Sequence, residues 1–143
     1  MRHTREYGTT VLRITLGVVF VMHGYIGGFV FGPAGLAALN ASKGIPLPTV
    51  MAWFVILGHL LGGTALILGY LTRLGALVHV VIMGGAVFLI HFSQGFLLHG
   101  TIVDAAAGKA AVGGYEYAFV LLMASVAILF LGSGPVALDR SKR

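Results

Sequence analysis

The stretch from Val50 to Arg73, VMAWFVILGHLLGGTALILGYLTR, carries no charged side chain before its final arginine. A helix advances only about 1.5 Å per residue and needs about 20 apolar residues to cross the hydrocarbon of a bilayer. The stretch is therefore read as a membrane-spanning helix, and a chain that contains it must fold in the same medium. One residue stands out within it. His59 is polar and titratable, and it lies near the middle of the span, at the depth where lipid tolerates such a group least.

The rest of the chain agrees with a bilayer. Of its 143 residues 58% are hydrophobic and 9% charged, where a soluble domain carries roughly a quarter charged. Four spans and their loops use nearly the whole length, at about 11–31, 50–71, 74–92 and 115–131. The expected fold is all-α: an integral membrane four-helix bundle forming one domain over 1–143. The basic start, Met1 to Arg5, followed by an apolar run resembles a secretory signal. That run continues to about Phe31 with no clear small-residue cleavage site, and reads as an uncleaved first span.

Between the spans the sequence is punctuated. Gly32-Pro33 ends the first, Gly35 to Ser42 reads as a short interfacial helix, and Gly44-Ile45-Pro46-Leu47-Pro48 is a stiff turn into the second. Leu71-Thr72-Arg73 is a tight connection, so spans two and three are expected to form an antiparallel hairpin. Residues 93–114 are weakly hydrophobic and read as a loop with a re-entrant or interfacial piece. After Gly132-Ser133-Gly134-Pro135 comes a short basic tail.

The net charge of +5 does not point to nucleic acid, because the basic residues sit at span ends. Arg2, Arg5, Arg13, Arg73, Arg140, Lys142 and Arg143 fall on one side of a four-span chain, and only Lys43 and Lys109 on the other. The positive-inside rule puts both termini in the cytoplasm and the chain in the cytoplasmic (inner) membrane. With no cysteine, thiolate metal sites, disulfides and dithiol exchange are excluded, so any electron chemistry needs a bound cofactor or a partner.

Depth arithmetic sorts the polar residues. His23 and His59 come out near the midplane, with His23 as the partner expected for His59. His79 comes out within about two turns of the cytoplasmic face, level with Arg13 and Arg73, while His91 and Glu116 fall near the outer face. A proton route then runs from Glu116 or His91 through His59 and His23 to His79. The bland reading of each is structural. Intramembrane histidines serve as interhelical hydrogen-bond glue, span-end arginines snorkel to phosphates, and an acidic residue at a helix start answers the dipole. Gly24-x-x-x-Gly28 and Gly58-x-x-x-Gly62 read as close-packing faces that bring His23 and His59 together. His3 and His99 read as ordinary exposed residues.

The order of these signals resembles one family. Arg13, Gly17 and His23-Gly24, then Gly44-Ile45-Pro46, Gly62-Gly63, Leu68-Gly69-Tyr70-Leu71-Thr72-Arg73 and Met83, then Gly114-Tyr115-Glu116-Tyr117 and Gly132-Ser133-Gly134-Pro135 with Asp139, are similar to the DoxX family of small four-span membrane proteins. The resemblance implies a relative of the small subunit of a terminal quinol oxidase, in a family linked to quinone and thiol redox complexes. Two positions depart from it: His59 stands where the family often has a glutamate, and Gly27 where it often has a lysine.

Two functions follow. The first is a membrane subunit of a quinone-linked oxidoreductase, with a quinone or quinol pocket between the helices. His59 and His23 would contact the ring, with Glu116, Arg13 and Arg73 on the ring or proton path. Its partners would be the bilayer and a redox subunit or a second copy, since this chain alone cannot pass electrons on. The alternative is a non-catalytic scaffold or anchor whose histidines are glue. Haem b held between His23 and His59 is a further, weaker reading.

Overall fold

The computed structural model describes residues 2–98, 101–104 and 109–139. The protein is a bundle of apolar helices. Helix α1 (Arg2–Tyr25) continues through a π turn, Ile26–Val30, and α2 (Gly32–Ser42) follows it. Helix α3 (Pro48–Leu57) runs through a π turn, Gly58–Gly62, into α4 (Gly63–Leu68). Helix α5 (Thr72–Gly85) ends in a π turn, Ala86–His91, and a 3-10 turn, Phe92–Gln94, and α6 spans Glu116–Leu131.

Three of these continuous helices are long and apolar enough to cross a membrane: Tyr7–Val30, Pro48–Leu68 and Thr72–Gln94. Helix α6 is apolar but has 16 residues, about 24 Å of rise. The 93–114 stretch holds no re-entrant helix among its described residues. It carries instead a short antiparallel hairpin, β1 (Thr101–Asp104) and β2 (Lys109–Val112), with Thr101 opposite Val112 and Asp104 opposite Lys109. Thr101-Ile102-Val103 is a β-branched run, which favours an extended backbone over a helix.

The second long helix ends at Leu68, because Gly69 takes up a left-handed conformation at φ 65° that terminates α4. Leu71 is also left-handed, and the chain reverses over residues 69–71 directly into α5. Helix α1 packs on α4 and on the Gly58–Gly62 turn, and α5 packs on α6. The first contact is very close. A Cβ on Gly17 would stand 2.7 Å from the Gly63 carbonyl, and one on Gly24 would stand 2.9 Å from the Leu60 amide nitrogen. Leu16, Phe20, Leu66, Ala76, Met83, Leu121 and Ile128 fill the core, while Val18, Met22, Phe29, Leu61, Val81, Phe88 and Phe130 face outward as a lipid-contacting surface requires.

The ends of the bundle are tied differently. At one end α6 begins against the segment just after the third long helix, with the Glu116 amide donating to the Phe96 carbonyl at 2.9 Å. At the other, the segment after α6 folds back over the 69–72 turn. The amides of Leu138 and Asp139 donate to the carbonyls of Leu68 and Gly69, and the Asp139 carboxylate accepts the Thr72 amide at 2.9 Å. Asp139 thus caps α5 from the far end of the chain, where Leu71 at the N-cap position offers no side chain to do so.

Arg13 completes this end. Sequence reasoning gave it a snorkelling role or a place on the ring or proton path, but its side chain is fully buried. Its guanidinium donates to the carbonyls of Ile67 and Ser133, each at 2.9 Å, and to those of Leu66 and Val136. A planar five-donor fork can serve carbonyls in several directions at once. Arg13 is therefore a structural clasp between α1, the end of α4 and the tail.

Candidate functional site

Three of the four histidines within the long helices come together, though not in the expected order. His59 sits in the π turn Gly58–Gly62, a rare local geometry that often marks functional positions, and its side chain is buried. Its nearer imidazole neighbour is His79, with ring centroids 5.4 Å apart and planes inclined by 23°. The His23 ring lies 6.0 Å away and is tilted by 56°. Phe20 stacks on His79 at 3.6 Å and lies 5.4 Å from His59, so one phenyl ring backs two imidazoles.

His79 stands seven residues into α5, within two turns of its start, and faces the bundle interior. It is fully buried beside His59. Depth arithmetic treats each side chain as a point on its own helix axis. Here Gly62 leaves a gap on the facing helix, where a Cβ would stand 2.8 Å from His79 Cε1, and the ring fills it. The signal was present in the Gly62-Gly63 pair, but only a partner helix in register reveals which side chain it admits.

Hydrogen bonding fixes two of the three tautomers. The Nδ1–H of His79 donates to the Gly75 carbonyl at 2.8 Å, and that of His23 to the Val19 carbonyl at 2.8 Å. A carbonyl only accepts, so each neutral ring carries its proton on Nδ1 and a lone pair on Nε2. His79 Nε2 and His59 Nδ1 are both buried without a hydrogen-bond partner. Buried polar atoms are rarely left unmatched, and unmatched pairs mark places that hold water, protons or ligand. His23 is exposed, and its ring lies 6.1 Å from that of Tyr117 on α6. The row His79, His59, His23, Tyr117 therefore leads from the core to the lipid-facing surface.

The remaining candidates stand apart from this row. Glu116 is half-buried at the start of α6, and its side chain makes no hydrogen bond among the described residues. His91 bonds its neighbour Gln94 at 2.8 Å, and Arg73 is exposed beside the 69–72 turn. His99 lies outside the described residues. Phe20 and Tyr117 are the members that sequence reasoning did not single out. Phe20 follows Gly17 by three and precedes His23 by three, the spacing of one helical face, and this was the available clue. An apolar groove of about 350 Å³ between α3–α4 and α5 includes Leu57, Leu61, Leu74 and Val78, and shares Gly62 and Gly75 with the His79 surroundings.

Residues 8–92, which hold the three clustered histidines, match the DoxX family. The chain belongs to that family. The match covers the three long helices, and α6 with its tail follows it. Over 139 residues the chain is 27% identical to a curated protein of Bacillus subtilis (strain 168) named "Putative oxidoreductase CatD", covering 97% of this chain and 90% of that one. No solved structure matches.

Proposed function

We propose that this DoxX-family protein is the membrane subunit of a quinone-linked oxidoreductase complex, and that its imidazole row serves a quinone headgroup bound at the His23 and Tyr117 edge. The observation that carries this reading is the row itself, with two buried ring nitrogens unmatched inside it and an accessible imidazole at its lipid-facing end. Imidazole exchanges protons near neutral pH, and a ring gaining or losing two electrons must exchange protons. The oxidoreductase name of the Bacillus relative agrees with such a role.

The alternative is a scaffold whose histidines are interhelical glue. Glue requires bonds between helices, yet the histidine bonds run within them: His23 to Val19 and His79 to Gly75, each four residues back, while His59 Nδ1 has none. A haem between His23 and His59 is poorly supported, because α1 and the Gly58–Gly62 turn touch at Gly24 and Leu60, beside both rings, where a macrocycle would need a slot. Helix α6 would be the fourth crossing, since it joins the Phe96 end of the bundle to the Arg13 end, and basic-residue counting puts both termini in the cytoplasm.

The test is His59→Asn in the complex purified with its native partners from the membrane. Proton transfer by a positioned side chain is worth about a hundredfold or more, so quinone-linked turnover is expected to fall by that order with the complex intact. Undiminished turnover in an intact complex would leave only the scaffold.

A further inference from the structure

His79 and His59 each keep one buried ring nitrogen without a hydrogen-bond partner, Nε2 in the first and Nδ1 in the second. The two rings are neighbours, 5.4 Å apart between centroids, and Phe20 stacks on both. Phe20, His23, Gly62 and Gly75 surround the pair, and none of them is acidic. A protonated ring would be an unpaired buried charge, so both rings are neutral.

A neutral imidazole has one N–H and one lone pair, and its surroundings decide which nitrogen holds which. For His79 the backbone decides. Its Nδ1–H is spent on the Gly75 carbonyl, so Nε2 offers only a lone pair. Exchanging the two would set a lone pair against the carbonyl oxygen and lose the bond. At His59 no bond to Nδ1 makes the choice. A lone pair there would add a second buried acceptor beside the first and satisfy neither. A proton there sets a donor against the His79 lone pair, and a small rotation of the His59 ring, which no bond at Nδ1 restrains, completes the contact.

We infer that His79 is a positioning residue for His59: its Nε2 lone pair holds the His59 ring in the Nδ1–H tautomer and leaves Nε2 of His59 as the nitrogen that accepts a proton. The Gly75 carbonyl, His79 and His59 then form one chain in which each acceptor faces a donor. A buried carboxylate fixes the tautomer of the histidine in a serine protease by the same means. Here the acceptor is a second imidazole, itself held by the backbone. Use of that nitrogen as a base in turnover rests on the quinone reading above, whereas the tautomer does not.

The experiment is nitrogen NMR of the full chain, isotope-labelled at histidine, in lipid bilayers with no quinone added. The His59 signals are identified by their loss in His59→Asn. Wild type is expected to show a protonated Nδ1 and an unprotonated Nε2 at His59. In His79→Phe, or in His79→Leu should the larger ring prevent folding, the proton is expected to move to Nε2, which a free histidine side chain prefers. His79→Gln, which returns an acceptor to the position, is expected to restore the wild-type pattern. A His79 that only fills space would leave the His59 shifts where they are. A proton on Nε2 of His59 in wild type, protons on both nitrogens, or a pattern unmoved by loss of the imidazole at 79 would overturn the inference. Each of these leaves the quinone reading to its own turnover test, since no quinone takes part.

Discussion

The His79 imidazole occupies the volume that a side chain at Gly62 would need. A Cβ at Gly62 would stand 2.8 Å from Cε1 of that ring and 3.3 Å from Nδ1, so the glycine sets where the ring lies and keeps it against Phe20 and beside His59. Gly62→Ala is expected to force the ring off its carbonyl bond to Gly75, at a cost of about 1–3 kcal/mol for overpacking. Gly84→Ala on the same α5 helix is the control. Nothing lies within 4 Å of its Cβ, so it is expected to be neutral or to gain up to about 1 kcal/mol of helix propensity. Thermal unfolding of the two variants in one detergent checks both, and equal midpoints would refute the assignment.

Arg13 is the second point of leverage. Replacing it by Met keeps most of the stem but abandons the carbonyls of Leu66, Ile67, Ser133 and Val136 in a buried site. Leaving buried acceptors unpaired is expected to cost about 3 kcal/mol or more, with Lys recovering part of it through its three donors. Denaturant titration followed by tryptophan fluorescence at Trp53, the single tryptophan, reports the order wild type, Lys, Met. A Met variant as stable as wild type would return Arg13 to the role of a snorkelling anchor.

Asp139 supplies a pH signature. Its carboxyl is held below the usual carboxylate range, first by the Thr72 backbone amide, with the Leu71 amide and the Arg13 charge adding to it. A depressed folded-state pKa means that the capping contribution is fully present above the unfolded value of about 3.9 and is lost as pH falls through the lower, folded one. The unfolding midpoint is therefore expected to drop below about pH 4 more steeply in wild type than in Asp139→Asn, which keeps an acceptor but has no charge to lose. Parallel curves from pH 6 to 3 would remove the carboxylate from the account.

The absence of cysteine makes topology directly testable. A single cysteine at Ala41, exposed near the end of α2, is expected to react with an impermeant maleimide in intact spheroplasts. One at Ser141 is expected to react only after lysis. Labelling of both in intact spheroplasts would mean that α6 does not cross.

The sequence displayed its apolar helices openly, because a run such as Pro48–Leu68 is a local property. The clasp was not legible. Arg13 at the edge of a first span looks like any anchoring arginine, and its acceptors lie 53 to 123 residues away along the chain. Asp139 was visible as part of a family pattern, but its duty as the α5 cap depends on a fold-back that no periodicity announces. The pairing of His79 with His59 was hidden for a related reason. It is a property of two helices together, and Gly62 lies on the other one.

The clasp also has a consequence in time. Arg13 leaves the ribosome 120 residues or more ahead of its acceptors at Ser133 and Val136. Throughout synthesis the arginine has to wait at the membrane with only the carbonyls of the second helix to satisfy it, and the α5 cap is missing until Asp139 emerges. Closure of this end of the bundle thus has to wait until the segment after α6 has been made. Until that segment arrives, the Nε and Nη2 donors of Arg13 lack the carbonyls that they serve in the closed bundle.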